Sequence, residues 1–242
     1  MSTLSLINFR DLAYLKAKDG RHLKENLIYR GPSLLEERLT KEDKKILDDM
    51  HIQHLIDFRG IEEAEFHGFD YVPKGALLTN ISALELEDKK NNPIELDEIS
   101  EEEHLRRVEW LHQAYQQMPF NNPAYAYVFK CIRNYETAIY MHCSVGKDRT
   151  GIISALVLKL MGFDDETIFE DYLLSKKNWL TFYEKEGKKE AELSPLLLVR
   201  KEWIEDCFKS IIKRYGSFDE YFKNEYALEE KEIEEIRKYY LG

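Results

Sequence analysis

The residues His142-Cys143-Ser144-Val145-Gly146-Lys147-Asp148-Arg149-Thr150-Gly151 combine a nucleophile, a fixed cation and two glycines in one short stretch. An apolar, β-forming run from Ala138 to Met141 precedes it, and an apolar run of helical length from Ile152 to Met161 follows, stopped by Gly162. Strand, tight loop and helix start together aim backbone N–H groups and the positive end of a helix dipole at one point. An anion belongs there, and a cysteine at the same point is favoured as thiolate, its nucleophilic form. Arg149 follows Cys143 by six residues and can present a planar fork to phosphoryl oxygens, as a lysine cannot. Thr150 is placed to hydrogen-bond the sulfur as it leaves, and Gly146 permits a turn with inward-pointing amides. A lone Cys-x5-Arg would be weak evidence. The full string fixes eight positions, and its chance occurrence is on the order of one in 10^8.

This string resembles the signature of the cysteine-dependent protein tyrosine phosphatase superfamily, and with Lys147-Asp148-Arg149 it is most similar to the bacterial tyrosine/phosphoinositide dual-specificity branch. The resemblance extends to Asn8-Phe9-Arg10-Asp11-Leu12, Leu27-Ile28-Tyr29-Arg30-Gly31, His54-Leu55-Ile56-Asp57-Phe58-Arg59 with Glu63 or Glu65 after it, Asp171-Tyr172-Leu173-Leu174-Ser175 and Tyr215 to Tyr221. Ala13-Tyr14 and Phe58 depart from the family habit without touching the chemistry. The resemblance implies attack of Cys143 on a phosphomonoester, with Arg149 and the amides of Ser144, Val145, Gly146 and Lys147 holding the equatorial oxygens. Water then releases phosphate from the cysteine. Two carboxylates, Asp148 and Asp57, are candidates to protonate the leaving oxygen, and the sequence does not rank them. Lys147 is expected as a second cation for substrates with several phosphates, while His142 and Gly151 shape the loop. The implied partners are a phosphotyrosine protein or peptide, or a phosphoinositide head group, with phosphate or another oxyanion in the site. No cofactor and no metal are expected. The histidines of Met50-His51-Ile52-Gln53-His54 fall on opposite faces of a strand, too few ligands for an ion. Two other readings compete: a non-catalytic phospho-ligand module on the same fold, and a sulfur-transfer or arsenate-reducing cysteine enzyme. The first leaves the thiolate without purpose; the second lacks a nearby resolving cysteine.

The elements needed to position this loop are those of an α/β domain. The chain has 242 residues, 43% of them hydrophobic, ample for one core. Lys plus Arg is 35 and Asp plus Glu 46, a net charge of −11; nucleic acid is therefore not an expected partner, and a phosphate pocket must be a local positive spot on a negative body. Three cysteines give no disulfide framework. The N-terminus lacks a basic lead and no run approaches membrane-spanning length, so a cytoplasmic setting is expected, with signal-less secretion left open. Strands are predicted near 26–30, 52–58, 76–81 and 138–142, and helices near 40–50, 101–118, 122–134, 149–161, 164–175, 177–188, 195–214, 217–224 and 228–240. The pattern predicts one tyrosine-phosphatase-like unit over 1–242, its mostly parallel sheet of four to five strands flanked by helices. Residues 84–104 read as an acidic insert, solvated or serving as a flap, and 163–242 as a helical region packed on the core.

Overall fold

The computed structural model describes residues 4–84, 100–190, 193, 196 and 198–242. Its sheet contains β1 (Arg10–Asp11), β2 (Ile28–Gly31), β3 (His54–Asp57), β4 (Leu77–Asn80) and β5 (Ile139–His142) in the order β1-β2-β5-β3-β4. All neighbours run parallel except β1, which lies antiparallel on β2. A mostly parallel sheet must be covered on both faces, and the side chains divide with period two. Ile139 and Met141 enter one core and Ala138 and Tyr140 the other; Ile28 and Tyr29 divide in the same way.

The helices are α1 (Lys41–Asp49), α2 (Ile61–His67), α3 (Glu101–Gln117), α4 (Pro123–Arg133), α5 (Arg149–Leu160), α6 (Asp165–Lys185), α7 (Lys201–Tyr215), α8 (Phe218–Tyr226) and α9 (Glu230–Tyr240). Their starts are chemically marked. Thr40 and Asp43 close a reciprocal capping box on α1, Asn122 caps α4 ahead of Pro123, and Asp164 accepts from the Thr167 amide at the start of α6. Each such cap is worth about 1 kcal/mol. Helix α5 is buried on nearly every side, from Thr150 to Leu158, and ends at Gly162, whose φ of 86° suits a left-handed C′ residue.

Four elements differ from the sequence expectation, and one of them, α7, begins at Lys201 rather than near 195. Strand β1 is only a two-residue pairing, and α2, under two turns between Gly60 and Gly68, is too short for periodicity to show. The two helices expected over 164–175 and 177–188 are one continuous helix, α6. Of the acidic insert, residues 85–99 lie outside the described residues, and its last residues form the first turn of α3, capped by Ser100.

The topology decides where a site can form. Strand β2 leads to α1, whose Leu47 belongs to one core, while its neighbour β5 leads to α5, which belongs to the other. Adjacent parallel strands whose helices depart to opposite faces open a crevice at their C-terminal ends. The register brings Gly31, His142, Asp57 and Asn80 into one row along that rim. Cys143 is the next residue.

Candidate active site

The loop from Cys143 to Asp148 is held by its carbonyls. Ser33 donates to Ser144 O from its amide (3.2 Å) and hydroxyl (3.1 Å). Val145 O accepts from Asn8 Nδ2 at 3.2 Å and Trp179 Nε1 at 3.3 Å. Gly146 O accepts from Asn8 Nδ2 and Arg30 Nη2, both at 2.9 Å. None of the amides of Ser144 through Arg149 donates a hydrogen bond to another described residue. With carbonyls drawn outward and amides unspent, the loop is a nest for an anion at the N-terminus of α5. Gly146 is required there: its φ is +69°, and a Cβ would stand 2.2 Å from Gly31 O.

The residues that grip the loop form a buried charge network of their own. Asp171 on α6 accepts from Arg10 Nε at 2.7 Å, Arg30 Nη1 at 2.6 Å and Tyr14 Oη at 2.9 Å. Burial opposes ionisation of Asp171, yet Arg30 and Arg10 overcome it and bring its pKa to about 2. Arg30 thereby links the sheet, α6 and Gly146.

Cys143 is 2% exposed, at the floor of the loop. Across from it, Arg149 pairs with Glu63 of α2 through both terminal nitrogens, at 2.6 and 2.7 Å. Nη1 also reaches Phe58 O and Nη2 the Ser144 hydroxyl, each at 3.4 Å, and Ser144 Oγ donates to Glu63. The Nε–H edge of the guanidinium has no partner among the described residues. Burial would lower the Arg149 pKa, but Glu63 chiefly, then Cys143 and Asp57, raise it instead. For Glu63, burial is outweighed by the charge and hydrogen bonds of Arg149 and by the Ser144 hydroxyl, and its pKa falls to about 2. Both partners of this pair are therefore fully charged at neutral pH.

The structure separates the two candidate carboxylates. Asp57 is buried at the end of β3 and accepts from Arg59 Nε (3.0 and 3.1 Å), Arg59 Nη2 (2.9 Å), the Arg59 amide (2.9 Å) and Asn80 Nδ2 (3.0 Å). Burial is overcome by His142, 3.6 Å away, and by Arg59, so its carboxyl lies below the usual range. Arg59 also pairs with Asp70, whose carboxylate lies 3.7 Å from His142 Nε2. Asp57, Asp70 and His142 have the donor set of a cation site, and the Arg59 guanidinium already supplies the cation. Of the two candidates to protonate the leaving oxygen, Asp57 is thus the one engaged by Arg59. Asp148 is more open, its side chain 18% exposed, and accepts from Tyr115 Oη at 2.7 Å, which accepts from Tyr172 Oη at 2.8 Å.

Two further expectations meet different geometry. Lys147 is 5% exposed; its ammonium donates to Leu196 O and lies 3.3 Å from Asp148, so it is spent within the protein. Thr150 Oγ1 is buried without a hydrogen-bond partner, and the expected bond to the sulfur is not formed. Gly151 lets α5 approach α6, where a Cβ would meet the Tyr172 ring at 3.1 Å. His142 Nδ1 lies 3.2 Å from Cys143 O, consistent with shaping the loop.

A cysteine at an anion-binding turn, an arginine clamped by a carboxylate and a mostly parallel sheet are now in place, and the whole chain, residues 1–242, matches a single family description. The chain belongs to the tyrosine phosphatase family. Among its relatives, a protein of Cupriavidus necator named as a tyrosine-protein phosphatase is 25% identical, the alignment covering 98% of this chain and 87% of that one. The triple specificity protein phosphatase PtpB of Mycobacterium tuberculosis is also 25% identical, over 90% of each. The solved core catalytic domain of the PP-IP phosphatase SIW14 from S. cerevisiae, in complex with citrate, aligns over 89% of this chain and 96% of its own at 15% identity and a TM-score of 0.35, too low to carry weight. This member of the tyrosine phosphatase family is thus a phosphatase hydrolase. Among its described residues no helix is long and apolar enough to cross a membrane.

Sequence reasoning passed over several residues that build the site. Glu63 stood in the resemblance only as an alternative to Glu65, because the helix that selects between them was not foreseen. Asn8, Arg10, Arg30 and Asp171 lay inside resembling segments without a role, since only tertiary contact joins Arg10 and Arg30 to Asp171. Tyr115 and Trp179 carried no signal.

Proposed function

We propose that this phosphatase hydrolyses phosphotyrosine in a protein or peptide through a phosphocysteine intermediate on Cys143. Cys143 Sγ attacks phosphorus as the bond to the phenolic oxygen breaks, and Asp148 gives that oxygen its proton. Water then attacks phosphorus, forming an O–P bond as the S–P bond breaks, returning a proton to Asp148 and freeing the thiolate and inorganic phosphate. The loop amides and the free Nε edge of Arg149 hold the equatorial oxygens, where charge develops. Glu63 acts as a positioning residue, holding the guanidinium by both terminal nitrogens and so fixing its orientation.

The observation that carries this reading is the loop itself: every carbonyl from Ser144 to Gly146 is drawn outward while the amides stay unspent around a buried cysteine. A binding module would need no thiol at that focus. Substrate class follows from depth and charge. A nucleophile 2% exposed is reached more readily by a phosphate on a long, slender aryl group than by one on a serine. The phosphoinositide reading needs Lys147 at the pocket, and its ammonium is engaged with Leu196 O and Asp148 instead. Turnover of phosphotyrosine peptide, phosphothreonine peptide and inositol-phosphate head groups, without added metal, tests this. We expect phosphotyrosine to lead by at least tenfold in kcat/KM and Cys143→Ser to abolish all three activities. A head group turned over faster than phosphotyrosine, with the advantage lost in Lys147→Ala, would overturn the assignment of substrate.

A further inference from the structure

At the opposite end of the sheet from the catalytic loop, three metal-ligand side chains meet. His54 opens β3, Cys131 lies in the last turn of α4 and Glu136 follows that helix; a ring nitrogen, Sγ and a carboxylate oxygen lie within 4.8 Å of one another. His54 Nε2 is 3.1 Å from Glu136 Oε2, and His54 Nδ1 is buried with no hydrogen-bond partner. The sequence pair His51 and His54 offered too few ligands, but the fold adds two from elsewhere. The amides of Gln53 and His54 both reach Ala138 O, at 3.0 and 3.3 Å, which brings β3 against the segment leaving α4.

The way α4 ends supports a ligand role. Tyr135 N bonds Ile132 O at 3.1 Å and Glu136 N bonds Cys131 O at 3.0 Å, the paired bonds of a Schellman turn. That turn brings the side chains at C3 and C″ together, and they are commonly two apolar groups in contact. Helix α5 ends by the same bonds and follows the rule: Gly162 takes the left-handed position, and the facing pair is Leu158 and Phe163, both buried. At α4 the left-handed position is held by Tyr135, with φ of 58°, and the facing pair is a thiol and a carboxylate. A side chain in that conformation is costly, and an apolar contact has been replaced by two metal-binding groups.

We propose that His54, Cys131 and Glu136 bind a divalent cation of the zinc type, leaving a fourth tetrahedral position for water. Mixed sulfur, nitrogen and oxygen donors suit such an ion over magnesium or calcium. Zinc bonds of about 2.0 to 2.3 Å place tetrahedral ligands roughly 3.3 to 3.8 Å apart, so side-chain shifts of about 1 Å close the site from its present spacing. Glu136 and His54 side chains are 33% and 15% exposed, giving the ion a path from solvent to the buried Cys131. Without metal the sulfur keeps its proton, because burial and a hydrogen bond to Glu136 push the thiol up to about 12. Binding therefore breaks the S–H bond, forms a sulfur–metal bond and releases one proton to solvent. The site is independent of the phosphatase chemistry and is tested without it.

Cobalt(II) added to full-length Cys143→Ser protein reads the site directly, since a cobalt–thiolate bond absorbs in the near ultraviolet. We expect a band that saturates at one equivalent and is displaced by zinc. Cys131→Ser should remove it, and His54→Gln and Glu136→Gln should each weaken the apparent affinity at least tenfold. No band in the Cys143→Ser protein, or a band that survives Cys131→Ser or is unmoved by His54→Gln, would overturn the proposal. Should Cys131→Ser fail to fold, the two partly exposed positions decide by the same shift in affinity.

Discussion

At the residue scale the site depends on one charge pair. Glu63 and Arg149 are both largely buried, with side chains 9% and 12% exposed, so removing either leaves the other unpaired in a poor solvent for charge. Replacing Glu63 with Gln is expected to lower kcat/KM by about tenfold to a hundredfold, because the guanidinium loses the group that aims it. The same pair sets a pH window for stability. The Glu63 carboxyl falls from 4.5 to about 2 on folding, which corresponds to about 3 kcal/mol. A lowered folded-state value stabilises above the unfolded pKa and is lost as pH falls through the folded one. The gap in melting temperature between native protein and Glu63→Gln should thus be full at pH 7 and shrink as pH falls from about 4.5 towards 2; a gap independent of pH would count against the pair. The two aspartates also separate by experiment. Asp148→Asn should lower kcat/KM for phosphotyrosine about 10^2-fold or more but spare kcat/KM for an aryl phosphate with an electron-poor leaving group, whose departure needs no proton. Asp57→Asn should instead lower the melting temperature, since it leaves Arg59 without its main partner. Equal loss of kcat/KM on both substrates in Asp148→Asn would remove it as the acid.

At the element scale, the loop is shaped by contacts remote in sequence. Asp171 on α6 holds Arg10 and Arg30, and Arg30 holds Gly146 O. Asp171→Asn breaks a buried pair and is expected to cost about 3 to 5 kcal/mol of stability, with lost activity at temperatures where the variant remains folded; chemical denaturation beside steady-state kinetics would check both. An unchanged denaturation midpoint would show that the network does not hold the loop. This scale is also where sequence reading met its limit. Strand β5, the loop and α5 were legible because an apolar strand, a glycine-bearing turn and an apolar helix stopped by Gly162 are all local signals. Helix α2 was not, being seven residues between two glycines, and with it went the choice of Glu63. The fate of Lys147 was equally hidden. Its neighbours in sequence suggest a cation for substrate, while the group that takes its proton donor, Leu196 O, lies 49 residues away.

At the scale of the whole molecule, the chain carries a net charge of −11, while the proposed substrate is itself an anion. On the proposed mechanism, substrate approaches a repelling body before it meets the loop amides and Arg149. Raising ionic strength should therefore increase kcat/KM severalfold for an acidic phosphopeptide and decrease it for a basic one, as screening weakens the long-range field. Measurement of both peptides across a salt series checks this, and identical responses would contradict it. The sheet order and the departure of α1 and α5 to opposite faces place Cys143 at the crevice, the residue on which the proposed chemistry depends. The most direct test is to trap the intermediate there. Asp148→Asn protein mixed with an aryl phosphate whose electron-poor leaving group needs no proton, and quenched in acid within one turnover, should carry one phosphoryl group, located by mass spectrometry on the peptide containing Cys143. Turnover proceeding while no phosphoryl group is ever found on Cys143, or the group residing on another residue, would contradict the phosphocysteine mechanism.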